Sequence, residues 1–158
     1  MEKIILSPLM ESDLEFLLEV RNDESTRNQL KDNTIYNLEE CKEWFKTLDS
    51  YWWIICKEET LERVGYFRTK GNVIGCDIHP NHRRKGYARA AYENYLGRTV
   101  RNKLELDVFE DNHAKKLYEE LGFQENGEVE FVRGRKYLKM IWEDKWRNRK
   151  KEEYENRN

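Results

Sequence analysis

Residues 74–96 read IGCDIHPNHRRKGYARAAYENYL, and this stretch decides the fold. A short apolar segment runs into Pro80. A basic turn follows, Arg83-Arg84-Lys85-Gly86-Tyr87-Ala88, and a helical pattern starts at once. The order is strand, cationic glycine-containing turn, helix. Free backbone N–H groups at a helix N-terminus point outward, and the helix dipole adds partial positive charge there. Phosphate suits that geometry. On its own, RRKG also reads as a solvated basic loop or a localisation tag.

Upstream, residues 3–7 (KIILS) read as a first strand. Ser12-Asp13-Leu14-Glu15 has the form of a capping box, with Ser12 as cap and Glu15 reaching back. The helix it opens carries Leu14, Leu17 and Leu18 and ends near Arg21-Asn22-Asp23; a short helical piece is expected at 25–30. Leu38, Cys41, Trp44, Phe45 and Leu48 recur at helical spacing, so 38–48 is an amphipathic helix. Residues 51–57 (YWWIICK) are aromatic and β-branched and read as a buried strand. Residues 63–69 pair with them as a hairpin. Lys70-Gly71-Asn72 is the turn into a strand at 73–79.

Downstream, the helix at 87–97 carries Ala88, Ala91, Tyr92, Tyr95 and Leu96 on one side. Residues 104–109 (LELDVF) alternate apolar and acidic, a strand with one solvated face. A helix at 112–121, with Ala114, Leu117, Tyr118 and Leu121 on one stripe, stops at Gly122. Residues 123–132 and 136–141 form a hairpin around Gly134. Residues 143–158 are almost wholly charged apart from Trp146 and Tyr154, and read as a frayed helical tail. About seven strands and four helices make an α+β (three-layer α/β) fold. Both helices after the basic turn lead into a strand, so βαβ crossovers and parallel middle strands are expected. Ligands enter such sheets at the carboxyl ends of the strands.

The 158 residues favour one domain, 1–142, followed by the tail. Lys and Arg number 29 against 31 Asp and Glu, so basic character is local and nucleic acid is an unlikely partner. Aromatics at 13%, including five Trp, argue against disorder. Cys41, Cys56 and Cys76 form no CxxC pair and no metal spacing with the three histidines; no metal is expected, and a reducing, cytoplasmic setting is. No apolar run approaches the ~20 residues of a membrane span, and Met1-Glu2-Lys3 opens no signal peptide.

The motifs resemble a known family. Arg83-Arg84-Lys85-Gly86-Tyr87-Ala88 is similar to the pattern Q/R-x-x-G-x-G/A of the GNAT N-acetyltransferases, and His79-Pro80 sits where that family's strand-ending His/Asn-Pro sits. Asp111-Asn112-His113-Ala114 and Leu117-Tyr118-Glu119-Glu120-Leu121-Gly122-Phe123 look like its second signature, N-x-x-A followed by LYekLGF. Both motifs occur in the family's order, and the likeness covers residues 3–142. Arg21-Asn22-Asp23, Leu38-Glu39-Glu40 and Trp44-Phe45 resemble the branch with the ribosomal-protein (RimJ/RimL-like) and amino-sugar acetyltransferases.

The resemblance implies acetyl-coenzyme A as acetyl donor and a primary amine as acceptor. It implies that backbone N–H groups of Arg84 to Ala88, with Gly86 allowing close approach, hold the pyrophosphate, while Arg83 and Lys85 add charge. Cys76, Ile78 and His79 would line the pantetheine arm, and the Ile78 N–H would face the thioester carbonyl oxygen. Tyr118 would protonate the departing thiolate: a phenol near pKa ~10 and a thiol near ~8.5 are well matched. Its bland alternative is a helix-face Tyr packed on Leu117 and Leu121.

Where the family has Asn, seven residues before Tyr118, stands Asp111. Either Asn112 makes the coenzyme contact, the favoured reading, or Asp111 substitutes and Asn112 is the cap. Lys115 belongs to the same coenzyme-binding set. For the base that must take the amine's proton, Asp77 and a water chain are the leading candidates, with His79 on the strand and Asp23 near the cleft behind them; Asp77 also reads as a structural carboxylate or an ammonium anchor. His79 and His82 read as turn histidines, and Cys76 as a packed thiol without covalent chemistry. Trp52 and Trp53 read as core or cleft wall, one of them lining the acceptor site. The acceptor is a small amine, such as an amino sugar, or a protein N-terminus, and the protein a monomer or homodimer. The rival reading is a non-catalytic acyl-coenzyme-A sensor on the same fold.

Overall fold

The computed structural model describes residues 2–157; Met1, Asn158 and the side chains of 146–151, Trp146 among them, lie outside the described residues. Seven strands form one mixed sheet in the order β1-β2-β3-β4-β5-β7-β6. The chain divides into two compact units, one up to Arg98 and one from Thr99.

In the first unit, β1 (Ile4–Pro8), β2 (Tyr51–Lys57), β3 (Arg63–Lys70) and β4 (Val73–Ile78) form an antiparallel run. Strand alternation sorts the side chains onto two faces. Ile54 and Cys56 of β2 and Tyr66 of β3 pack with Leu14, Leu17 and Val20 of α1 (Leu14–Asn22) and Cys41 of α3 (Leu38–Lys46). The i, i+3, i+6 spacing of the three α1 residues puts them on one stripe, each fully buried and stabilising the fold by about 2 kcal/mol. On the opposite face, Phe67 meets Tyr92 edge-on and Tyr95 at a tilt, both on α4 (Tyr87–Arg98), and Trp53 also reaches Tyr95. With both faces covered, β3 is buried at five of its eight residues, which is why its sequence is an apolar run without alternation.

The second unit holds β5 (Lys103–Phe109), α5 (Ala114–Glu120), β6 (Gln124–Val132), β7 (Arg135–Glu143) and α6 (Lys145–Arg157). Leu104, Leu106 and Val108 are buried. The acidic face of β5 meets Lys139 of β7, 3.4 Å from Glu105 and 3.8 Å from Asp107. The alternation in LELDVF is thus one core face and one ion-paired face. β6 is exposed along most of its length, and its pairing with β7 shifts between Glu125 and Val129, around Gly127 at φ +88°.

The expected strands all form, within two residues of the sequence reading at either end. The helices differ more. Among the described residues there are six α-helices, not four, because the Glu24–Arg27 turn (α2) and the α6 tail are regular. The Ser12–Glu15 capping box does not form. A short 3-10 turn, Glu11–Asp13, precedes α1, and the Asp13 carboxylate accepts from the Met10 N–H at 2.9 Å, two residues out of the expected register. Asp13 is held there by Arg63 at 2.9 Å, a long-range partner invisible to a local pattern. α5 begins at Ala114, two residues later than its apolar stripe suggested.

Candidate functional site

Helix α4 opens on the basic turn. Arg84 (φ +60°) and Gly86 (φ +83°) both occupy the left-handed region, and alternation of such residues turns successive N–H groups toward one concavity. Glycine does this freely; an arginine there is unusual and costs about 1 kcal/mol. The first helical hydrogen bond at this end runs from Ala90 N–H to Gly86 O at 3.0 Å, so the helix itself offers no carbonyl to the N–H groups of Tyr87 and Ala88. Gly86 has no side chain with which to cap them. The first turn carries no acidic residue. Tyr87 anchors the helix start from below, buried with its hydroxyl donating to Glu2 at 3.0 Å. Arg84 and Lys85 are exposed.

Arg83 points elsewhere. Its Nε donates to the Ile78 carbonyl at 3.1 Å, its Nη2 to Thr26 Oγ1 at 2.8 Å and its Nη1 to Ser25 Oγ, with Asp23 3.9 Å away. The guanidinium ties the turn to the end of β4 and to α2.

The register of β4 fixes the direction of its polar groups. His79 N–H donates to Val64 O at 2.8 Å while Gly65 stands opposite Ile78. That makes Gly65–Ile78 a non-hydrogen-bonded pair, and by alternation Phe67–Cys76 is another. The N–H groups of Cys76 and Ile78 therefore point away from β3. Gly65 is required here, because a Cβ would lie 2.4 Å from the Asp77 carbonyl oxygen. His79 behaves as a turn residue: its Nδ1 accepts from Asn81 N–H at 3.1 Å, its ring stacks on Phe16 at 5.8 Å, and its Nε2 lies 3.5 Å from Glu19.

The Asp77 side chain faces the α1/α3 side, opposite Tyr66 in the ladder, and accepts from the Tyr66 hydroxyl at 2.6 Å. Burial pushes its carboxyl above the usual range, opposed by Arg68 and by the Tyr66 hydrogen bond. Arg68 lies flat over Gly75, whose Cβ would meet its Cζ at 2.6 Å. Neither Tyr66 nor Arg68 is marked in the sequence; only the β3/β4 register reveals them. The Cys76 thiol is pushed well up by burial, as an inert packed group would be.

In the second unit, Tyr118 is half-buried on α5, edge-on to Phe123 at 6.3 Å. Asp111 is held by Arg135, at 2.6 Å and 3.1 Å, which lowers its carboxyl. Asn112 Oδ1 accepts from Ala114 N–H at 2.9 Å and so closes the start of α5. Lys115 is paired with Glu119 at 3.1 Å and Glu125 at 3.2 Å.

Among the described residues no group of His, Cys, Asp or Glu is placed to hold a metal ion, and no helix is long and apolar enough to cross a membrane.

The fold is that of an α/β protein in which a glycine-started helix, preceded by cations, opens after the end of β4 with its first backbone N–H groups unclaimed by the helix. The profile of the acetyltransferase (GNAT) domain matches residues 3–124. The chain belongs to the GNAT acetyltransferase family. No curated protein sequence matches it. Among solved structures, spermidine N-acetyltransferase from Vibrio cholerae, in complex with CoA and spermine, is 22% identical, covers 88% of this chain and 94% of its own, and has a TM-score of 0.78. An acetyltransferase from Thermus thermophilus is 19% identical, with coverage of 90% and 99% and a TM-score of 0.70. An N-acetyltransferase from Staphylococcus aureus is 15% identical, with coverage of 89% and 98% and a TM-score of 0.69. At these identities the likeness establishes the fold.

Proposed function

We propose that the protein transfers acetyl from acetyl-coenzyme A directly to a primary amine, a small molecule in preference to a protein N-terminus. The observation that carries this reading is the start of α4, where left-handed Arg84 and Gly86 leave backbone N–H groups unclaimed by the helix. The family supplies the donor, and the complex of the V. cholerae enzyme with CoA and spermine supports an amine acceptor.

In this reading the N–H groups from Arg84 to Ala88 hold the pyrophosphate, with Lys85 beside them. The outward N–H groups of Cys76 and Ile78 receive the pantetheine arm and the thioester carbonyl. Bound acetyl-coenzyme A supplies that carbonyl. As the amine nitrogen forms the C–N bond, the Ile78 N–H stabilises negative charge on the carbonyl oxygen. The C–S bond breaks, Tyr118 gives its phenolic proton to the thiolate, and the tyrosine is reprotonated from solvent. The proton lost by the amine passes to Asp77, whose raised pKa makes it a stronger base than an ordinary carboxylate, or to a water chain leading from the site. Arg83 fixes the position of the turn. Asn112 and Lys115 remain candidate coenzyme contacts from the start of α5.

The test is thiol release from acetyl-coenzyme A against a panel of amines, beside calorimetry of coenzyme binding. Turnover with one acceptor class is expected. Tight binding without thiol release on any amine would favour a sensor; absence of binding would overturn the reading.

A further inference from the structure

A pocket of about 380 Å³ opens between α1 and α3 above β2. That volume suits a small organic ligand. Leu17, Leu18, Trp44 and Trp52 form its apolar wall. The two indoles meet edge to face at 4.9 Å, and Trp52 lies 5.2 Å from Tyr66, whose hydroxyl donates to Asp77. The back of the pocket is thus one ring away from Asp77.

The polar groups of the pocket are Arg21, Asp32, Tyr36 and Glu40. Three of them satisfy one another. Arg21 donates to the carbonyls of Asp32 at 2.7 Å and Thr34 at 3.1 Å, lies 3.5 Å from the Asp32 carboxylate, and stacks over the Tyr36 ring at 5.3 Å. Asp32 also accepts from the Tyr36 hydroxyl and from Thr34 N–H at 3.0 Å. Its charge is matched inside the protein. Glu40 differs. One oxygen accepts from Asn37 N–H at 3.0 Å, and the other has no protein partner among the described residues. Its carboxylate is therefore, among the described residues, the one negative charge of the pocket without a counter-charge.

We infer that this pocket is a binding site for an amphipathic organic monocation: an ammonium head at Glu40 and an apolar, ring-sized body lying against the wall that Trp44 and Trp52 form together. A single unmatched carboxylate calls for a single positive charge, and indole faces attract a cation and its apolar carrier together. A linear polyamine, with charge spread along its length, finds one unmatched carboxylate, a second already paired with Arg21, and an apolar wall. The assignment stands on this pocket alone and does not need the transferase reading.

The probe is 2-phenylethylamine, titrated into the full chain without coenzyme while tryptophan fluorescence and heat are followed. Binding stronger than that of 2-phenylethanol or phenylacetate is expected, and weaker at high salt. Glu40→Gln keeps an oxygen for the Asn37 N–H, so the helix start survives; it should weaken the amine by about tenfold and leave the alcohol unchanged. Trp44→Leu should weaken both. Equal affinity for amine and alcohol, an unchanged Glu40→Gln, or no saturation at millimolar probe would overturn the assignment. Spermidine binding more tightly than 2-phenylethylamine would overturn the monocation class. Binding as expected, with no thiol release on any amine, would uphold this site while the transferase reading fails.

Discussion

Helices α3 and α4 begin in opposite ways. At α3, Asn37 accepts from Glu40 N–H at 2.8 Å and Glu40 accepts from Asn37 N–H at 3.0 Å, a reciprocal box that leaves the first turn satisfied and acidic. At α4, Gly86 caps nothing, the first turn holds no acid, and the residues before it are cationic. Forgoing a side-chain cap costs a helix about 1 kcal/mol. A start closed from within serves stability, and one left open is available to an anion from outside. α5 lies between the two: it has no reciprocal box and no acid in its first turn, but Asn112, two residues before the helix, accepts from Ala114 N–H.

The most damaging way to break the contrast is Gly86→Glu, which adds a carboxylate to the open start and forces a side chain into φ +83°. Acetyl-coenzyme A affinity, by calorimetry, should fall by about a hundredfold or more while the thermal transition stays cooperative. Unchanged affinity would remove the turn from the site. Tyr118→Phe comes next: kcat should drop by about a hundredfold with coenzyme affinity nearly intact, and wild-type turnover would mean that water protonates the thiolate. Asn37→Ala sharpens the other side. It should lower stability by about 1 kcal/mol in denaturant melts and leave coenzyme affinity alone.

The smallest effect concerns Asp32, whose carboxyl is held down to about 2 from 3.8, first by the Tyr36 hydroxyl and then by Thr34. A depressed carboxyl contributes stability that is present above the ordinary range and lost as pH falls from 3.8 toward 2. Wild type should therefore lose part of its stability in that window, and Asp32→Asn should show a shallower decline in melts run across it. Parallel curves would deny the Asp32 contacts any role.

Local signals were readable from the sequence wherever a side chain and its partner lie close along the chain. The β2 aromatics, the LELDVF alternation, the Gly122 stop and the RRKGYA turn are all such cases. The cap on α1 failed because Asp13 answers to Arg63, fifty residues away. The Asp77–Tyr66 pair, the placing of Arg68 over Gly75 and the unmatched carboxylate of Glu40 all depend on strand register or on loop 32–36 folding back to Asn22. Asn22 accepts from Tyr36 N–H at 3.0 Å and donates to Tyr36 O at 2.7 Å. No motif encodes those distances. The duplicated choice between Asp111 and Asn112 divides by partner: Arg135 holds the first and the helix start holds the second.

Arg83 gives the basic motif a mechanical meaning. Three adjacent cations suggest three attractions for a phosphate, yet the first is fastened to Ile78, Ser25 and Thr26. It works as a rivet that makes the end of β4, the turn and α2 one stiff piece. Damage at Thr26 would reach the turn only through Arg83, so under the proposed role of that turn a scan of α2 should register as a loss of coenzyme affinity.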